Sequence, residues 1–439
     1  MMQISAAHGF AHDDRGNLLL GGFPAASLAK EFGTPLLVLD EDRFRENCRA
    51  YREAFARFYP KYEVIYASKA LCVLATCQLA HEEGLAIDVA SGGELFTALR
   101  AGVPAQRIFF HGNNKTPEEL RYALSQSVGR IIVDNFTELS LLAELAKETG
   151  KTAHILLRIT PGIEPRTHRA IQTGGVDSKF GFDLNNGSAL EATQKTLDSP
   201  HLALHGFHCH IGSQILELEP FEQAAEVMMD FLARINREVG FLAEELNLGG
   251  GLGIRYLHTD EPPSIASYIQ VLAQRVKAKA HQHGLPLPIL MVEPGRSIVG
   301  PAGVTLYTVG TIKRIPGVRT YASVDGGMYE NPRPALYAAR YEAVVADRLF
   351  ETPTEEYAIA GRCCESGDVL IWEASLPPLN PGNLVAVFAT GAYTYSMASN
   401  YNRFPRPAVV LVGRGRARLI VERETYEDLV RKDIPLPKE

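Results

Sequence analysis

The chain has 439 residues, 46% hydrophobic and 22% charged, a composition that suits a globular protein long enough for two domains. Its formal net charge of −7 argues against a nucleic-acid surface. No apolar stretch approaches the length of a membrane span, so a soluble, cytoplasmic protein is the expectation.

Residues 1–15 carry no basic segment leading into an apolar run, so no signal peptide is expected. The cysteines at 48, 72, 77, 209, 363 and 364 show no CxxC pair and no metal-finger spacing, which suggests a reducing compartment. Residues 35–40 (PLLVLD) read as a strand, and residues 41–58 carry apolar residues at helical spacing. A rhythm then sets in. Apolar strand candidates fall at 64–68, 86–90, 107–111, 130–133, 153–159, 203–209, 245–248 and 288–293. Helical patterns lie between them, as at 93–101, 117–125, 136–149, 221–238 and 265–283. Strands alternating with helices argue for a parallel sheet, and eight such units match an α/β barrel of the TIM type. After Gly300 short β-type runs follow one another between Pro and Gly, which predicts a second, all-β domain. The expected division is a (β/α)8 barrel over 36–300, with 1–35 and 301–439 forming a β-barrel or sandwich domain.

Chemistry-bearing residues cluster at the predicted carboxyl ends of the barrel strands, where barrels of this type keep their active sites. The first strand leads into Lys69 and the second into DVASGGE, residues 88–94. A strand-end lysine is by default a solvated surface group. Among apolar neighbours it loses hydration and becomes a Schiff-base candidate. Strand six ends in HCHIGS (208–213), strand seven in Gly249–Gly251 and strand eight in EPGR (293–296). Three adjacent glycines let backbone amides approach an anion, and the loops after strands seven and eight commonly hold phosphate. His208 and His210 share a strand face, yet no third ligand sits at recognisable spacing, so no metal is expected. An imidazole lying against a cofactor ring, and Glu293 beside a pyridine nitrogen, suit the pattern better. Of the adjacent cysteines at 363 and 364, Cys363 reads as the more structural.

A lysine, a phosphate cradle, a histidine and a glutamate together suggest pyridoxal phosphate. The motifs YASKA (66–70), DVASGGE (88–94), HCHIGSQ (208–214), GGGLG (249–253), EPGRSIVGPAG (293–303), DGGMYENPRPALY (325–337), CESGD (364–368) and GAYTYSMASNYN (391–402) occur in order along nearly the whole chain. In these the sequence resembles the meso-diaminopimelate decarboxylases of the alanine-racemase and ornithine-decarboxylase fold group. Leu71 stands where many relatives carry Asn.

The resemblance implies a PLP-binding (β/α)8 barrel followed by an all-β domain, and decarboxylation of meso-2,6-diaminopimelate to L-lysine and CO2. It makes Lys69 the Schiff-base lysine, has His210 stack on the ring, and places Ser213 near the phosphate. Asp88, Gly250, Gly251, Glu293, Gly295 and Arg296 complete the cofactor site. Arg296, Arg333 and Tyr337 grip the substrate's distal end. Cys364 donates a proton, Glu365 reads the distal ammonium, and Tyr393 touches cofactor and substrate. A Cys364–Glu365 loop reaching the partner's site implies a homodimer with shared active sites. A racemase of the same fold, a non-catalytic PLP carrier, and a decarboxylase of another basic or carrier-bound amino acid are the alternatives. Two arginines placed for a long substrate argue against the racemase and against ornithine or lysine as the substrate, and the β domain with its Cys-Glu loop argues against the carrier.

Overall fold

The computed structural model describes residues 1–163 and 178–438. The apolar runs become β1 (Tyr62–Ala67), β2 (Ala86–Val89), β3 (Ile108–Phe110), β4 (Arg130–Val133), β5 (Ala153–Thr160), β6 (Leu202–His208), β7 (Glu245–Asn247) and β8 (Ile289–Val292). Every neighbouring pair is parallel, β8 pairs with β1, and β5 pairs with β6, so the sheet closes into an eight-stranded barrel. These strands read as continuous apolar runs because a parallel sheet under helices is buried on both faces. Ile65, Ala86, Phe109, Ile132, Leu156 and Met291 pack into one buried cluster, each from a different strand. Burying a side chain of the larger of these kinds contributes about 1.5–3 kcal/mol.

Helices join the strands, and several are capped where a strand end hands over. The Ser91 side chain accepts from Glu94 N ahead of Gly92–Arg100. Thr116 and Glu119 form a reciprocal capping box at Pro117–Gln126. Helix Ser188–Leu197, which periodicity did not single out, also packs on the barrel strands.

The chain divides into two compact units: residues 45–254 with 261–298, which hold the barrel, and residues 1–44, 255–260 and 299–439. In the second unit one sheet runs Val369–Leu376, Glu355–Ala360, Arg319–Val324, Gly303–Ile315, Leu36–Asp40, Ala408–Gly413 and Arg416–Val421. Leu384–Phe388 pairs with Gly303–Ile315 and with Ala343–Val345. Alternate residues, such as Leu36 and Val38, Val304 and Leu306, or Val410 and Val412, fill its core. Phe10, Leu18, Leu20 and Leu28 join that core from the N-terminal segment.

Leu36–Asp40 lies within the span expected for the barrel, but it pairs antiparallel with Gly303–Ile315 and parallel with Ala408–Gly413 in the second sheet. Leu36 to Leu39 are all buried, so the run carries no alternation that would tell one sheet from the other. Residues 255–260, also inside that span, belong to the second unit.

Candidate active site

Side chains two apart on a strand share a face. Two positions beyond the apolar cluster stand Asp88, His111, Asp134, Arg158 and Glu293, all buried. The barrel filling is therefore apolar in one layer and ionisable in the next, at the carboxyl ends of the strands. His208 at the end of β6 and Asn247 at the end of β7 are buried as well.

Glu293 is the hub. Its Oε2 lies 3.1 Å from His208 Nε2. Its Oε1 accepts from Asn247 Nδ2 at 2.7 Å and stands 2.8 Å from His111 Nε2. Burial alone would raise its pKa, but His111 and His208 hold the carboxyl well below its usual range. Burial meanwhile pushes His208 down to about 4, so this imidazole is neutral at pH 7 and donates from Nε2. Potential ligand atoms of His111, His208 and Glu293 lie within 4.8 Å of one another, so the fold supplies the neighbours that spacing along the chain did not. With Asn247 donating to the same carboxylate, we read the cluster as a clamp that keeps one negative charge fixed.

Asp88 is the complementary case. Both its oxygens are buried without a hydrogen-bond partner, and burial raises its pKa against the pull of His111 and Lys69. Desolvation holds the half-buried His210 well below the usual imidazole range, with the Lys69 charge acting in the same direction. Its Nδ1 accepts from Gly250 N at 3.2 Å. A Cβ on Gly250 would stand 2.2 Å from the Glu293 carbonyl oxygen, so glycine is required for the β7 loop to close on the end of β8. Arg296 donates from Nη2 to Ser213 Oγ at 2.9 Å, and Gly295 lies beside Ala67 at the end of β1.

Lys69 sits in the single turn Ser68–Ala70 that follows β1. It is exposed. Its charge is felt by Asp88, Glu94 and His210. The barrel unit thus brings together Lys69, Asp88, His210, Ser213, Gly250, Gly251, Glu293, Gly295 and Arg296. Pyridoxal phosphate needs an amine, a fixed anion for its ring nitrogen and a backbone cradle for its phosphate. The lysine, the ionised Glu293, the glycine loop and the partnerless Asp88 oxygens fit that group.

The second unit carries the remaining candidates. Arg333 and Tyr337 begin and end a short helix, Arg333–Tyr337. Arg333 is buried, Tyr337 half-buried. Cys363 is buried, with its thiol pushed up to about 12 by burial, and its N–H donates to Asp368 Oδ2 at 2.7 Å. A Cβ on Gly361 would stand 2.2 Å from that same oxygen, which fixes the turn ahead of the pair. Cys364 and Glu365 are exposed. Cys364 N donates to Asn402 Oδ1 at 2.8 Å, and the Glu365 carboxylate accepts from the Tyr401 hydroxyl. Tyr393 takes a left-handed φ of 59°, uncommon for a residue with a Cβ.

Sequence reasoning passed over His111, Asn247, Asp134 and Arg158. The signal was the register itself: each stands one face-repeat beyond, or at the end of, an apolar strand.

A family model of the pyridoxal-dependent decarboxylases, pyridoxal binding domain, matches residues 41–300. The chain is 53% identical to the diaminopimelate decarboxylase of Bacillus subtilis over 429 residues, covering 98% of each. It is 47% identical to that of Synechocystis over 95% of this chain and 90% of the other. A crystal structure of diaminopimelate decarboxylase from M. jannaschii in co-complex with L-lysine superposes with a TM-score of 0.92 at 38% identity, covering 98% of this chain and 99% of that one. With a closed parallel barrel, a candidate cofactor site at its carboxyl end and near-full-length identity at this level, the chain belongs to the diaminopimelate decarboxylases among the pyridoxal-dependent enzymes.

Proposed function

We propose that this protein decarboxylates meso-2,6-diaminopimelate to L-lysine and CO2, the last step of lysine biosynthesis. The observation that carries the substrate class is Arg333. It is 5% exposed, yet among the described residues no carboxylate pairs with it. A guanidinium stays charged at any relevant pH, and a buried charge is retained where an anion will meet it. The distal carboxylate of a diamino diacid supplies that anion.

Pyridoxal phosphate, when bound, supplies the electron sink for the pair released as CO2 leaves. Lys69 offers the amine that anchors it. Glu293 keeps a fixed negative charge for the ring nitrogen, and His111, His208 and Asn247 keep Glu293 ionised. His210 offers a neutral imidazole face. Loss of CO2 requires one proton at the carbon left behind, and Cys364 Sγ donates it. Cys364 is exposed, so water can return that proton. Glu365 takes the distal ammonium, with Arg296 and Tyr337 completing the grip on the distal end and Tyr393 touching both cofactor and substrate.

An exposed Cys364–Glu365 pair supports a second proposal, that this loop serves the site of a partner copy in a homodimer. Mixing inactive Lys69→Ala and Cys364→Ala chains is then expected to restore activity. Random exchange makes about half the dimers mixed, each with one intact site, so recovery approaches roughly a quarter of wild-type sites. Demonstrated exchange without recovery would mean that each chain builds its own site. No helix among the described residues is long and apolar enough to cross a membrane, which supports the cytoplasmic reading.

The deciding assay offers PLP-loaded protein meso-diaminopimelate, L-lysine and L-ornithine separately and measures CO2. Release from meso-diaminopimelate alone is the expected result. Preference for L-lysine or L-ornithine would shift the reading to a decarboxylase of another basic amino acid.

A further inference from the structure

Among the described residues no carboxylate pairs with Arg333, and two aromatic rings hold it instead. Its Cζ lies 4.7 Å from the centroid of the Tyr256 ring and 5.5 Å from that of Tyr341. The two rings stand edge to face, 5.4 Å apart at 90°. Nη1 donates to the Tyr341 hydroxyl. Tyr256 and Tyr341 are themselves 7% and 3% exposed. A ring face attracts a cation more strongly when both are dry.

The rings arrive from separate parts of the chain and are tied together. Tyr341 lies eight residues beyond Arg333. Tyr256 belongs to the segment 255–260, which follows the glycine-rich loop. Asp260 Oδ2 accepts from the N–H groups of Tyr256 and Leu257, at 3.0 and 2.9 Å. Glu342, next to Tyr341, accepts from His258 N at 2.6 Å and lies 2.5 Å from His258 Nδ1. Arg255 Nη1 donates to Ala7 O at 2.8 Å. The Glu342 carboxylate therefore clamps the segment carrying Tyr256 to the stretch carrying Tyr341, just ahead of strand Ala343–Val345.

We infer that Tyr256 and Tyr341 are positioning residues for substrate selectivity: an aromatic seat that holds Arg333 without neutralising it and presents its donors to the distal α-carboxylate. This rests on the reading of Arg333 given above. A carboxylate in place of the tyrosines would satisfy the guanidinium and compete with the ligand. Ring faces and hydroxyls orient the cation without bringing a competing negative charge, so the in-plane donors they do not use remain for an anion.

The test uses PLP-loaded protein and two probes. L-lysine keeps the α-carboxylate that the distal centre of the substrate would carry, and cadaverine is the same diamine without it. Affinities are read by calorimetry, so no turnover is needed. Tyr256→Leu is expected to weaken L-lysine by ~10-fold and cadaverine by less than ~2-fold. Tyr256→Phe, which keeps the ring face, is expected to restore most of the L-lysine affinity. In an Arg333→Ala background, Tyr256→Leu should add nothing further on L-lysine.

If Arg333→Ala leaves L-lysine affinity unchanged, the reading of Arg333 is wrong and the seat goes with it. If Arg333→Ala weakens L-lysine but Tyr256→Leu does not, or weakens both probes equally, Arg333 stands and the aromatic seat is overturned. Should Tyr256→Leu fail to fold, Tyr341→Leu removes the other ring face. A loss confined to L-lysine supports the seat, and no loss or an equal loss on both probes overturns it.

Discussion

Lys69→Ala is expected to lower kcat/KM on meso-diaminopimelate by ~10³-fold or more while leaving the chain folded. A single positioned proton-transfer group is commonly worth ~10²–10⁴-fold, and the anchoring amine contributes more than that one role. Lys69 is exposed in a one-turn element after β1, so its truncation removes no core packing. Stability should move by less than ~0.5 kcal/mol, as for ordinary surface substitutions. Activity lost without stability is what separates chemistry from scaffolding. The covalent check is borohydride reduction of the yellow, PLP-loaded protein followed by peptide mapping, with the added mass expected on the peptide containing Lys69. Another lysine of the barrel unit, Lys115, is buried and already committed. Its Nζ donates to Glu138 Oε1 at 2.7 Å and to the carbonyls of Gly112 and Ile132 at 2.8 Å each. Burial pushes the Lys115 ammonium towards its neutral form, so it is the chemically plausible rival. A label found there would defeat the assignment to Lys69.

The barrel was legible because parallel strands covered by helices are apolar throughout, and each expected strand overlaps an observed one. The second sheet was harder. Glu355–Ala360 opens on two glutamates and Arg416–Val421 alternates arginine with apolar residues, so neither stood out as an apolar run. Leu36–Asp40 was visible as a strand but not as a member of that sheet, since pairing is decided by residues more than 250 positions away. At the site, motif residues such as Lys69, Asp88 and Glu293 could be named, but their electrostatics could not. The ionised state of Glu293 depends on His111, 182 positions earlier in the chain, which looks like the polar end of an ordinary strand. Lys69, bordered by apolar residues in sequence, is exposed at its strand end. Arg333 shows the converse. Nothing local announces that PRPALY buries a cation, because the rings that hold it come from residues 256 and 341.

Arg333→Ala is expected to lower kcat/KM on meso-diaminopimelate by about 2–5 kcal/mol, the usual range for removing one partner of a desolvated charge pair. That is roughly 30- to 4,000-fold at 1.4 kcal/mol per decade. Any residual rate on L-lysine, whose distal end is only an amine when its own α-carbon reacts, should change far less. Cofactor content should be unchanged. The contrast with an internal ion pair sharpens the test. Removing Lys115 would strand Glu138, a buried carboxylate, and damage the free protein. Removing Arg333 strands no anion in the free protein, because among the described residues none is paired with it. Its cost in the free chain is the space left between Tyr256 and Tyr341 and the lost contacts with their rings and the Tyr341 hydroxyl. The large penalty therefore appears only when a substrate brings its own carboxylate, and it appears in kcat/KM rather than in Tm. A large fall in Tm with near-normal kcat/KM would make Arg333 a structural cation, and the substrate assignment would retreat to an unspecified basic amino acid.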